Sequence, residues 1–183
     1  MVSRLSRLIL ALTLNVLAGC STLPPTPASQ VVWSGRFAIE GEPNLEPTSG
    51  RFTLERNGEQ RKLDLISPLG QILARVEIDS QGATLKHADG RIEAAPDSTS
   101  LLERALGWRL PVEQISNWLD GTIAGVRVRD AAGRPTLAVD EQWLIRIEPP
   151  RRWWLEWPAD RNQLPAYERN RRVLIRLVLD QPD

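Results

Sequence analysis

From residue 33 onward, apolar and polar side chains alternate with a period of two. Trp33, Gly35, Phe37 and Ile39 alternate with Ser34, Arg36, Ala38 and Glu40. Phe52 and Leu54 alternate with Arg51, Thr53 and Glu55, and Leu63 and Leu65 with Lys62 and Asp64. The rhythm continues through Ile72, Ala74, Val76 and Ile78, and again through Ala83, Leu85 and His87. Such alternation predicts half-buried strands with one apolar face and one wet face. Asn57-Gly58, Gln81-Gly82 and Asp89-Gly90 link the runs with hairpin chemistry. The strands are therefore expected to form an antiparallel meander.

The period changes at Asp97. Ser100 and Glu103 stand at capping-box spacing, Leu101, Leu102, Ala105 and Leu106 share one helical face, and Gly107 stops the helix. Pro111 suits the first turn of a second helix, with Val112, Ile115, Trp118 and Leu119 on its inner face and Gly121 at its end. Alternation then returns. Residues 122–140 read as extended, with a turn from Asp130 to Gly133, followed by Trp143, Ile145 and Ile147, then Trp153, Leu155 and Trp157. Pro158 to Tyr167 is a polar connection, and Val173, Ile175, Leu177 and Leu179 make the last strand.

A long antiparallel sheet with one apolar face cannot leave that face in water. It must curl into a barrel or be covered, and the two amphipathic helices are its natural cover. The space between a curved sheet and its lid can be an apolar cavity; the same pattern also suits a filled core.

The first residues follow another logic. Arg4 and Arg7 precede a mostly apolar run, Leu8 to Leu17. That run is too short to span a bilayer and reads as a secretory signal. Leu17-Ala18-Gly19-Cys20 then resembles the lipobox of bacterial lipoproteins. The resemblance implies cleavage before Cys20 and acylation of Cys20, and Ser21 resembles the outer-membrane default of lipoprotein sorting. The organisation expected is a signal peptide at 1–19, a lipidated N-terminus and Pro-containing tether at 20–31, and a single domain at 32–183.

Loss of the signal leaves 21 basic against 23 acidic side chains, a net charge of about −2 that points to no nucleic-acid partner. Cys20 is the only cysteine, so no internal disulfide can form, and the one histidine, His87, cannot build a histidine-rich metal or catalytic cluster. Seven tryptophans stand against two phenylalanines and one tyrosine; tryptophan suits lipid-contacting surfaces and cores alike. The chain lacks GxSxG, HExxH and GxxxxGK[ST], which leaves no expected catalytic residue, metal or nucleotide drive. Arg151, Arg152, Arg161, Arg169, Arg171 and Arg172 make the C-terminal part basic. They read as a solvated strand face or as a contact for anionic headgroups or an acidic partner.

The lipobox, Trp33 to Ile39 (WSGRFAI), Leu65 to Gln71 (LISPLGQ) and Leu106 to Gly121 (LGWRLPVEQISNWLDG) together resemble the LolB family. Its members are outer-membrane receptors of the lipoprotein localisation pathway. The resemblance implies a mainly β fold with α: an open, incomplete antiparallel β-barrel of about 11 strands, its helices covering an apolar cavity. It implies a lipid-anchored monomer facing the periplasm that uses no enzyme chemistry and no cofactor. Such a protein accepts acylated lipoproteins from a LolA-like periplasmic carrier and inserts them into the outer membrane. The candidates for the acyl-chain cavity are the inward sheet positions Phe37, Ile39, Phe52, Leu54, Leu63, Leu65, Val76, Trp143, Ile145, Trp153 and Leu155, with the lid positions Leu102, Leu106, Ile115 and Trp118. Each can line a void or pack as plain core.

Ser67-Pro68-Leu69-Gly70 fits a type I turn and puts Leu69 near a hairpin tip. There it can insert into a membrane or fold back onto a strand. Pro68, Leu69 and Gly70 correspond to the family's protruding loop, which favours insertion. An accessory lipoprotein of an outer-membrane assembly, with a filled core and no lipid cargo, is the competing expectation. A lipid hydrolase is a third, for which no nucleophile motif is present.

Overall fold

The computed structural model describes residues 30–41, 46–107, 109–165 and 171–181. The signal segment, Cys20 with its tether to residue 29, Trp108, Tyr167 and Arg169 lie outside them.

The alternating runs are strands: β1 (Val31–Glu40), β2 (Thr48–Asn57), β3 (Gln60–Ile66), β4 (Ile72–Asp79), β5 (Gly82–His87) and β6 (Ile92–Ala95) before the helices. After them come β7 (Val126–Arg129), β8 (Pro135–Asp140), β9 (Trp143–Glu148), β10 (Arg152–Trp157) and β11 (Val173–Leu179). All belong to one antiparallel sheet in the order β6-β5-β4-β3-β2-β1-β11-β10-β9-β8-β7. The first and last strands join the two meanders, with Phe37 opposite Leu177 and Ile39 opposite Ile175. The edges β6 and β7 do not pair, so the barrel stays open, and the helical segment connects one edge to the other.

Three links share one geometry. In Ser67–Gln71, His87–Arg91 and Asp130–Arg134 the first residue donates its N–H to the last carbonyl, and the fourth-position glycine donates to the first carbonyl. Gly70, Gly90 and Gly133 all have positive φ, 78° to 86°, the left-handed residue that ends a three-residue hairpin loop. Past the first loop, β3 and β4 change register after Leu65, so that Ile66 faces Ile72.

Gly50 in β2 lies opposite Phe37, and a side chain there would meet the Ile66 carbonyl at 2.0 Å and the Phe37 ring at 3.2 Å. The sheet bends tightly where this glycine lets the backbones close in, and the Phe37 ring covers the gap.

Helix α1 (Ser98–Leu106) begins earlier than the capping-box spacing predicts. Asp97 is the N-cap; its carboxylate accepts from the Ser100 N–H at 2.8 Å and from the Ser100 hydroxyl. An aspartate three residues upstream outcompetes Ser100 for that position, and this frees Glu103 for other partners. Gly107, at φ 74°, ends α1 by donating to the Glu103 carbonyl. Helix α2 (Val112–Leu119) follows Pro111, which offers no side-chain cap. Its first N–H instead donates to Ser98 Oγ at 3.3 Å, while the Ser98 N–H and hydroxyl both donate to the Glu113 carboxylate. The two helix N-termini are thus stitched to each other. Gly121 and Thr122 close α2 by donating to the Trp118 and Asn117 carbonyls, the paired bonds of a Schellman motif.

α1 packs over β5 and β6, and α2 over β3. Leu101, Leu102, Val112 and Trp118 reach complete burial, and Leu106 and Leu119 pack at the margin. We expect Gly50→Ala to destabilise the fold by about 1–3 kcal/mol, the usual cost of overpacking. Ser49→Ala, at an exposed neighbouring position, should stay within about 0.5 kcal/mol of the parent. Urea midpoints at constant slope measure both.

Candidate functional site

The inner face of the sheet is apolar around its centre, and toward its edges it also carries His87, Glu93 and Asp140. Phe37, Ile39, Phe52, Leu54, Leu63 and Leu65 from β1 to β3 converge with Ile115 of α2 around one internal void. Four further residues complete its wall: Leu110, Val112, Ile175 and Leu177. Val112, Ile175 and Leu177 are visible in the sequence as inward positions of their elements. Leu110 has no periodic signal, because it sits in the connection between the helices. The void is small, about 30 Å³.

The remaining inward candidates are placed elsewhere in the same core. Val76, Leu102, Trp118, Trp143, Ile145, Trp153 and Leu155 are buried away from the void, and Leu106 is half-buried at its margin. Trp118 and Trp143 pack with ring centroids 6.3 Å apart at 60°. The Trp118 indole N–H donates to Asp140 at 2.7 Å, which ties α2 to the end of β8. Of the consecutive pair on β10, Trp153 points inward and is buried, and Trp154 is half-buried on the opposite face.

The lid meets the far half of the sheet through a second contact, which the sequence does not reveal. Glu103 of α1 accepts from Arg109 at 2.9 Å and from Arg171, just before β11, at 2.6 Å. Both guanidinium groups lie over the Trp157 ring, at 4.4 and 5.8 Å from its centroid. The three charged side chains are about a quarter exposed, 25–28%, so solvent screens them only partly. Arg56 and Arg61 hold the other end of the lid, reaching Asp120 at 2.9 Å and Asn117 at 3.3 Å.

Several arginines of the C-terminal part form ion pairs on the outer face. Arg172 reaches Glu156 at 3.1 Å, Arg152 reaches Glu148 at 3.4 Å, and Arg176 reaches Glu40 at 2.8 Å across the β1–β11 seam. His87 faces Glu93 at 2.7 Å. Among the described residues no group of three or more His, Cys, Asp or Glu could hold a metal ion, and no helix is long and apolar enough to cross a membrane.

Leu69 stands at the tip of the β3–β4 loop, 88% exposed, between Pro68 and Gly70. It does not fold back onto a strand. Two hydrogen bonds close the loop beneath it: the Ser67 N–H donates to the Gln71 carbonyl at 2.8 Å, and the Gln71 N–H donates to Ser67 Oγ at 3.2 Å.

The family described as "Outer membrane lipoprotein LolB" matches residues 29–181. A relative from Bordetella petrii named "Outer-membrane lipoprotein LolB" is 35% identical over 91% of this chain and 88% of its own length. Relatives of the same name from Cupriavidus metallidurans and Bordetella parapertussis are 34% and 37% identical, over 93% and 94% of this chain and 86% and 91% of theirs. The matched stretch takes in every strand and both helices, and the chain belongs to the LolB family.

Proposed function

We propose that this protein is an outer-membrane receptor, anchored through acyl chains on Cys20 and facing the periplasm. It accepts acylated lipoproteins from a LolA-like carrier and places them in the bilayer. The observation that carries this reading is the all-apolar wall of the interior, closed by a helical lid in a sheet whose edges do not pair. Membership of the LolB family supports it.

The cargo sets the physical demand. An acyl chain of about 15 methylenes, at about 0.8 kcal/mol each, resists water by about 12 kcal/mol. A receptor must offer those chains an apolar surface without an aqueous interval. The closed interior does not have the room: an apolar cavity of roughly 150 Å³ is needed for one benzene, and this void holds about 30 Å³. Cargo therefore enters only when the lid parts from the sheet. α1 and α2 move together, because Ser98 and Glu113 join their N-termini. The ties to be released are Glu103 to Arg171 and Trp118 to Asp140.

Delivery falls to Leu69. Burying one leucine contributes about 1.5–3 kcal/mol, enough to dock the loop transiently in acyl chains and too little to hold it there. No nucleotide takes part, so transfer runs down a gradient of affinity from carrier to receptor to bilayer.

Co-incubation with a carrier loaded with labelled lipoprotein is expected to move the label onto this protein without nucleotide; cargo that stays on the carrier refutes the reading. Leu69→Glu should keep the parent's thermal midpoint and cargo acceptance, and lose delivery into vesicles by about tenfold or more. Normal delivery by that variant would remove Leu69 from the mechanism. Glu103→Gln should speed uptake of an environment-sensitive fatty-acid analogue by roughly tenfold, the effect of losing a charge-assisted contact worth about 1.5 kcal/mol. Glu148→Gln, which loosens only a surface pair, should take it up at the parent rate.

A further inference from the structure

We infer that the bilayer contact extends from the Leu69 tip onto the outer face of β4 and β6, with Ile72 and Ile92 as its further apolar contacts. The inference rests on the reading of Leu69 as the membrane-inserting residue. Among the described residues, six large apolar side chains are exposed: Val32, Leu69, Ile72, Ile92, Val128 and Val178. Single exposed apolar side chains are ordinary; their distribution here is not. Strand register gathers Leu69, Ile72 and Ile92 at one end of the sheet, because the β3–β4 loop, the start of β4 and the start of β6 all lie there. Val32 and Val128 fall at the other end, near the start of β1 and the end of β7, and Val178 lies four strands from Ile72, on the rung of Arg36, Arg51 and Ile66.

Ile72 and Ile92 also share a face. Ile72 pairs with Ile66, and Ile92 pairs with Lys86, which pairs in turn with Arg75. Their partners Ile66 and Lys86 each follow an inward residue, Leu65 and Leu85, and the register shift after Leu65 turns Ile72 away from the face of Ala74, so the two isoleucines point out. Ile92 is 67% exposed and Ile72 42%. An edge strand that shows a bare isoleucine invites aggregation unless something covers it.

The occupant that fits is a phospholipid surface. Leu69 stands on a loop tip and Ile92 on an edge strand, and a fluid bilayer can mould to both. The charges agree. Arg75 is held by Asp64 at 2.6 Å and Arg91 by Asp89 at 2.7 Å, which leaves exposed Lys86 as the cation between the isoleucines. A lysine there can lay its stem along acyl chains and its ammonium among phosphates.

The tether favours the same posture. Ten Cα steps from Cys20 to Gln30 reach at most about 36 Å, and β1 from Val31 to Ile39 takes up about 26 Å in the direction of the Leu69 end. A barrel standing on the Leu69 tip alone would stretch the tether nearly taut. One reclining on the β4–β6 face brings Val31 toward the surface and leaves slack.

The full acylated protein, reconstituted in vesicles of phosphatidylethanolamine and phosphatidylglycerol with brominated acyl chains, tests this. Leu69→Cys, Ile72→Cys, Ile92→Cys and Val178→Cys each take one fluorophore, since Cys20, the only native cysteine, is acylated. Labels at 69, 72 and 92 should be quenched several-fold more than the label at 178. Labels at 72 and 92 that match 178 while 69 is quenched would overturn the extended face and leave the Leu69 reading intact. A silent label at 69 would instead overturn that reading. Ile92→Glu should lower delivery several-fold with cargo acceptance unchanged, and Val178→Glu should deliver normally. Lost delivery by Ile92→Glu without quenching at 92 would assign the face to a protein partner and overturn the bilayer.

Discussion

The structure depends on burying the inner face of a sheet that does not close. The central strands carry one continuous apolar surface, from Ile145 and Leu155 through Ile175, Ile39 and Phe37 to Leu54, Leu63 and Val76. Backbone pairing along the β1–β11 seam carries this surface across both meanders, but β6 and β7 stay apart. The missing seam is replaced by side chains on two short helices. A strand-to-strand ladder would be a run of backbone hydrogen bonds, broken only by unfolding. Under the receptor reading, a helical lid held by Leu101, Leu102, Ile115 and Trp118, with a few polar ties, parts from its sheet while both remain folded.

The charges are arranged consistently with that division. On the outer face, arginines and acids pair across strands, as in Arg176 with Glu40 and Arg172 with Glu156; exposed pairs of this kind contribute about 0–1 kcal/mol each. The partly shielded groups sit where the lid meets the sheet. Glu103 holds Arg109 and Arg171 against Trp157, and Asp140 holds the Trp118 indole. Apart from the bidentate Arg75–Asp64 pair between β3 and β4, the better-shielded polar contacts lie at the boundary between lid and sheet. The Ser98–Glu113 stitch lies inside the lid and keeps α1 and α2 one body.

The strands, the two helices and their glycine stops were legible because they are local. Period two from Trp33 to His87 needs only neighbouring residues, as do Gly107 and Gly121. Capping-box spacing points to Ser100 as the start of α1, but Asp97 offers a competing cap that spacing alone does not rank. The β1–β11 seam brings together segments separated by most of the chain, and no local pattern announces such pairing. For the same reason Glu103 was read as a capping residue, and its bond to Arg171, 68 positions away, was invisible. Leu69 stands out in the sequence as an apolar residue in a turn. Whether it folded back or stood free was decided by the loop geometry, not by the sequence.

Under the receptor reading, the closed interior has a thermodynamic use. An acyl chain in transit never enters water, so the full cost of about 12 kcal/mol is not what drives its transfer. The chain leaves one apolar wall and meets another, and the difference between the two burials is what counts. Here the wall is already satisfied by Leu110, Val112 and Ile115 of the lid segment. Each contact the cargo makes must replace one the lid gives up, and that cost is subtracted from the receptor's affinity. A permanently open cavity would bind acyl chains more tightly and would hold them against the bilayer as well. A lid that refills the space keeps binding strong enough to accept cargo and weak enough to release it.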